Sequence, residues 1–126
     1  MAPVERVTGI GGVFQRSAGE AAALRQWYAD HLGIELTAWG AKPFEWTPGG
    51  STQWAVFDAD TEYFGRRGQA FMVNFRVRDL DAMLAQLRSG GVEVVDALDE
   101  SEFGRFGWAV DPEGNRFELW ERPAGG

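Results

Sequence analysis

The sequence predicts an α+β fold in which the order strand–helix–three strands occurs twice. Three observations predict it. Apolar stripes at helical spacing stand at residues 21–32 and 80–87, each between cap signals. Segments of period-two alternation surround both stripes, and glycine and proline punctuate the joints. The halves share little sequence, so the repeat is one of element order, with modules at about 8–58 and 71–121 of a single domain spanning 1–126.

The first element is "GIGGVFQRS", residues 9–17, read as a short strand. Ser17 and Glu20 have the spacing of a capping box, and the helix that follows runs from Ala21 to Leu32. Leu24, Trp27, Tyr28, His31 and Leu32 form its packed stripe, and Gly33 is its C-cap. "IELTAW", "KPFEW" and "TQWAVFD" are strand candidates, "TPGG" is a turn, and "DTEYFGRRGQ" is a connector. The order then starts again with a strand at "FMVNFRV", residues 71–77, followed by Asp79 as N-cap. Leu80, Met83, Leu84 and Leu87 make the second helical stripe, which Gly90 and Gly91 end. "VEVVDAL", "RFGWAV" and "RFELWE" are the closing strands, and Asp111 to Asn115 is a hairpin turn between the last two.

Length and composition narrow the function. A chain of 126 residues can bury a core of its own. A net charge of -7 excludes the phosphate backbone of nucleic acid as the natural partner. The absence of cysteine removes disulfides and thiolate metal sites. No apolar run approaches the roughly 18 residues of a membrane span, and "MAPVERV" is too polar for a signal peptide, so a cytoplasmic protein is expected. Six tryptophans and nine phenylalanines exceed what filling a core requires, which leaves aromatics for a pocket or a subunit interface. "GIGG" lacks the lysine and hydroxyl residue of a phosphate loop, and "GRRGQ" reads as a solvated turn.

Alternation assigns the faces. Val73, Phe75 and Val77 point toward the helices, as do Phe117 and Leu119. Met72, Asn74 and Arg76 face the other way, with Arg116, Glu118 and Trp120, and the first strand adds Phe14 and Arg16. Solvent, a second subunit or a curved ligand cup can account for that mixed face. The cup is the most economical of these.

The ending D-P-x-G-N-x-x-E-L, read together with "WYADHLGI", "NFRVRDLDAMLAQLRSGGVEV" and "GWAVDPEGNRFELWE", resembles the vicinal oxygen chelate superfamily of glyoxalases, bleomycin-resistance proteins and extradiol dioxygenases. The resemblance covers about residues 8–122. It implies two βαβββ modules forming a curved mixed sheet around a cup, helices on the outer face, and a homodimer. In the enzymes of that family, a histidine or glutamine on each module's first strand and a glutamate on a last strand hold a divalent metal. Glu118 matches the glutamate, but Gly12 and Met72 fall where the first-strand ligands would stand. The first module's last-strand position falls between Ala55 and Asp58. Glycine has no donor and a thioether suits hard cations poorly, so no metal ligands and no cofactor are assigned, though a divalent metal stays open. The lone histidine, His31, reads as a packing residue of the first helix.

Three readings follow. The first is a module binding a small flat or cationic molecule, glyoxalase-related but without the usual metal site, through Phe14, Arg16, Met72, Asn74, Arg76, Glu118 and Trp120. The second is a lyase, isomerase or dioxygenase-like enzyme with Glu118 as general base, Arg76 or Arg16 stabilising an oxyanion, and Asn74 orienting the substrate. The third makes Glu118 and these arginines a satisfied ion-pair network inside a scaffold protein. "EYFGRR" and "DESEFGRFGW" would border the cup as loops.

Overall fold

The structure is a computed structural model that describes residues 5–6, 8–38, 40–46, 48–66 and 68–124. It is α+β, with helices α1 (Ala21–Leu32) and α2 (Leu80–Ser89) and strands β1 (Asn74–Arg76), β2 (Glu93–Val94), β3 (Asp99–Ser101), β4 (Gly104–Val110) and β5 (Arg116–Glu121). The sheet is mixed and runs β1-β5-β4-β2, with β3 also on β4. Strand β5 is central, parallel to β1 and antiparallel to β4.

Both helices stand where their stripes put them. Asp79 caps α2, its carboxylate accepting from the Ala82 N–H at 3.0 Å. Gly33 ends α1 in the left-handed region, and the α1 carbonyls of Ala29 and Tyr28 accept from the N–H groups of Gly33 and Ile34. The capping box is not formed. Glu20 occupies the N-cap of α1 without a side-chain bond, because the Ser17 hydroxyl donates instead to Glu113, which also accepts from the Ala18 N–H. That acidic partner in the last hairpin draws the serine off the helix.

The core lies between α2 and the sheet. Leu80, Leu84 and Leu87 bury against Ala109, Phe117 and Leu119, and Trp27 and Leu32 of α1 pack on the same cluster. Helix α2 presses so closely on β4 that a Cβ at Gly107 would stand 3.3 Å from Leu84 Cδ1, so a larger residue there would force the helix outward. His31 lies 5.0 Å from Trp27, ring to ring, and its carbonyl accepts from Gln86 of α2, which makes it the packing residue expected.

Two expectations about strands are corrected. "DESEFGRFGW" is not only loop: β2 and β3 both pair with β4, one at each end, and the chain breaks between them at residues 95–98. The alternation around this break is too short to show in sequence. In the first half, the candidates at 9–17, 34–38, 42–46 and 52–58 have no strand assignment. Glycine and proline weaken two of them as strands (Gly11, Gly12 and Pro43), and among the described residues the sheet is built from second-half strands alone. Trp39 of "IELTAW", Thr47 of "TPGG" and Arg67 of "GRRGQ" lie outside the described residues.

Leu119→Ala is expected to cost about 2–5 kcal/mol because it hollows the centre of this cluster. Asp79→Ala, which loses only a cap, is expected to cost about 1 kcal/mol. Urea denaturation of both variants checks the order.

Candidate functional site

Phe117 and Leu119 enter the core, so their neighbours Arg116, Glu118 and Trp120 are turned to the opposite face of β5. Glu118 is nevertheless only 7% exposed. Its flanking strands bury it and also supply its partners. Asn74 lies directly across on β1 and donates from Nδ2 to Oε1 at 2.7 Å. Trp108 lies directly across on β4 and donates from Nε1 to Oε2 at 2.9 Å. A third donor comes from the connector, where the Tyr63 hydroxyl bonds Oε2.

These donors are all uncharged. The ion pairs among the described residues gather on Arg105, with Asp81, Glu100 and Glu121, and none reaches Glu118. Those hydrogen bonds offset the hydration that the buried carboxylate loses. Aromatic rings close over it. Tyr63 stands edge-on to Trp108, with centroids 5.8 Å apart and planes at 90°, and stacks on Phe57 at 5.2 Å and 22°.

The residues predicted for the site divide into two sets. Asn74 and Glu118 meet. Trp120 is beside them on β5, stacked on Phe106 at 6.2 Å and bonded through Nε1 to the Phe103 carbonyl. Arg76 pairs with Trp120 in the β1–β5 register and is exposed, and Met72 is half-buried just before β1. Phe14 and Arg16 are not brought in: Phe14 is 92% exposed and Arg16 is exposed. The ion-pair network expected of Glu118 with Arg76 or Arg16 is therefore replaced by neutral donors.

Sequence reasoning missed Trp108 and Tyr63. The alternation of "RFGWAV" places Phe106 and Trp108 opposite Gly107 and Ala109, a signal that could have found Trp108. Tyr63 sits in an aperiodic connector, and nothing local marks it.

A second carboxylate organises the hairpin behind the site. Asp111 is 4% exposed and accepts from the N–H groups of Glu113 and Asn115, from the Asn115 side chain and from the Tyr28 hydroxyl of α1. The turn it builds has Gly114 at φ 84°, as the D-P-x-G-N spacing requires.

The glyoxalase-like domain family model matches residues 13–120. The chain belongs to that family. This confirms the vicinal oxygen chelate resemblance. TnmS3, an antibiotic binding protein from Streptomyces sp. CB03234, is similar at 23% identity over 93% of this chain and 100% of its own, with a TM-score of 0.58. A member of the glyoxalase/bleomycin resistance protein/dioxygenase superfamily from Sphaerobacter thermophilus shows 25% identity over 80% of this chain and 86% of its own, with a TM-score of 0.47. An NAD-dependent benzaldehyde dehydrogenase from Legionella pneumophila aligns at 19% identity over 40% of this chain and only 46% of its own, with a TM-score of 0.36. No curated protein matches the chain.

Among the described residues no three His, Cys, Asp or Glu side chains come together. Both Glu118 oxygens already accept hydrogen bonds, and the indole N–H of Trp108 cannot ligate a cation.

The phenols make the site sensitive to alkali. Burial first, and then the bond to Glu118, push Tyr63 well above its ordinary value of 10.0; burial and Asp111 do the same to Tyr28. Both rings stay neutral in the native protein at a pH where the unfolded chain ionises them. Their contribution is complete below pH 10.0 and is lost as the pH rises toward the native values. The urea midpoint is expected to fall above that pH, and less steeply in Tyr28→Phe/Tyr63→Phe, which has lost both of the chain's tyrosines.

Proposed function

We propose that this glyoxalase-like chain is a binding module for a small flat or cationic molecule, held at the Glu118 face of its sheet without the family's usual metal. One observation carries the reading: a buried carboxylate that pairs with no cation among the described residues, roofed by aromatic rings. Such a group carries uncompensated negative charge in a poorly hydrated place, which a cation or a strong hydrogen-bond donor relieves. Stacking on Phe57, Tyr63 and Trp108 would add the affinity of a flat ring system. The antibiotic-binding neighbour of the same fold supports the reading as a precedent. The enzyme alternative has less support, because Arg76 and Arg16, the residues expected to stabilise an oxyanion, are exposed and neither pairs with Glu118.

We further infer a homodimer. Phe14, Trp46, Trp54 and Val56 are 92%, 90%, 71% and 82% exposed, along segments without strand pairing. Aromatic residues concentrated on unpaired extended chain are the surface that a second copy would cover. Pairing of that kind is also what would bring Phe14 and Arg16 to the ligand, beside Met72, Asn74, Arg76 and Trp120. We place the protein in the cytoplasm, where a cysteine-free chain loses nothing to a reducing medium. Nucleic acid and membrane are not partners in this reading; no helix among the described residues is long and apolar enough to cross a membrane.

Fluorescence titration with proflavine, a flat cation, and 2-naphthol, a flat neutral donor, tests the site. At least one is expected to saturate in the micromolar range, and Glu118→Gln is expected to weaken it by about tenfold or more. Saturation by neither, or binding indifferent to Glu118, would reject the assignment. Sedimentation equilibrium is expected to give twice the 13.9 kDa chain mass, and the single mass in Trp54→Asp/Val56→Asp. A wild-type monomer throughout the accessible concentrations would remove the dimer.

A further inference from the structure

The donors to Glu118 differ in how firmly they are held. Asn74 and Trp108 project from strands bonded to β5 on either side, and their side chains are fixed by the cross-strand register. Tyr63 comes from a loop outside the sheet and is 37% exposed. The base of that loop is pinned. Gln69 makes two bonds to the Arg116 backbone, accepting from its N–H at 2.8 Å and donating to its carbonyl at 2.7 Å, and Arg66 bonds Asn115 at 2.9 Å. The tip is less well seated. Gly65 lies against the Arg116 guanidinium, so close that a Cβ would be 2.8 Å from Nε, and that buried Nε has no hydrogen-bond partner. The same guanidinium reaches the Tyr63 carbonyl only at 3.3 Å. A buried donor left unpartnered costs free energy, so a loop displaced from this seat recovers a hydrogen bond to water at Arg116.

Tyr63 therefore sits in the aromatic recess as a ligand would. It is a flat ring, stacked face to face on Phe57 and edge-on to Trp108, whose hydroxyl donates to the one carboxylate there. From this we infer that Tyr63 is an internal occupant of the site, which competes with ligands and is displaced most readily by those of its own chemistry: flat aromatic molecules bearing a phenolic hydroxyl. The inference rests on the binding-module reading and narrows it. An incoming phenol replaces the Tyr63 hydroxyl on Glu118 Oε2 and keeps the Trp108 bond to the same oxygen, so the carboxylate stays fully bonded throughout the exchange. A flat molecule without a hydroxyl would have to break the Tyr63 bond and return nothing for it. The internal occupant thus lowers the affinity of all ligands, while Glu118, which bonds only those with a hydroxyl, sets the preference among them.

The test compares wild type, Tyr63→Phe and Tyr63→Ala, binding 2-naphthol and its methyl ether, 2-methoxynaphthalene, by fluorescence titration, with thermal melts to establish folding. Tyr63→Phe keeps the ring but breaks its hold on Glu118. The expected result is that both variants bind 2-naphthol about tenfold more tightly than wild type, which is the scale of one charge-assisted hydrogen bond. In Tyr63→Phe the preference for naphthol over its ether is retained, because only naphthol bonds the freed carboxylate oxygen. Unchanged or weaker naphthol binding in the folded variants would overturn the inference, as would loss of the preference for naphthol over its ether in Tyr63→Phe. Proflavine binding with no naphthol binding by any of the proteins would also overturn it while leaving the binding-module reading intact. Failure of both probes would remove both.

Discussion

Strand β5 lies between β1 and β4, and its strict alternation divides the protein into two environments. Phe117 and Leu119 point into the dry layer under α2, at 2% and 0% exposure. Glu118 between them has no choice but the other face. There the registers with β1 and β4 bring Asn74 and Trp108 level with it. A one-residue slip would bury a carboxylate among leucines and expose a phenylalanine, so the hydrophobic core itself holds the site in register.

The chemistry of the site follows from which partners the sheet does and does not provide. A carboxylate bonded to arginine is electrically closed, and one coordinating a metal is committed to it. A carboxylate bonded to an amide, an indole and a phenol has only neutral partners. In the binding-module proposal a ligand can therefore enter without first displacing an ion. The arginines that could have neutralised it are spent elsewhere or point outward: Arg105 gathers Asp81, Glu100 and Glu121, Arg116 lies under the connector, and Arg76 is exposed on the edge strand.

Much of the fold was legible because its signals are local and periodic. The stripes of both helices, the Asp79 and Gly33 caps, the Asp111 turn and the two faces of β5 all follow from residue type and spacing. The capping role given to Ser17 failed because Glu113, distant in sequence, competes for it. The strands of the first half failed because alternation reports the ability to pair and not the presence of a partner. In the site, the sequence indicated Glu118 and Asn74 through the resemblance and the pleat. Trp108 was legible but overlooked. Tyr63 was not legible, since its position depends on how a loop packs across the finished sheet.

The attachment of α1 to the closing hairpin bears on how the chain is made. Tyr28 is bonded to Asp111, and Ser17 and Ala18 to Glu113, across 83, 96 and 95 residues of sequence. During synthesis α1 emerges early and has no seat until the turn at Asp111 has been translated. The second half contains β1, α2 and all the remaining strands, so it can condense around local contacts, whereas the first half must wait and then dock. Loop closure over such distances is slow, and the aromatic segments beside α1 stay uncovered in the meantime. The stage most exposed to aggregation is thus the interval before that hairpin is translated, when most of the apolar surface exists without the turn that organises it.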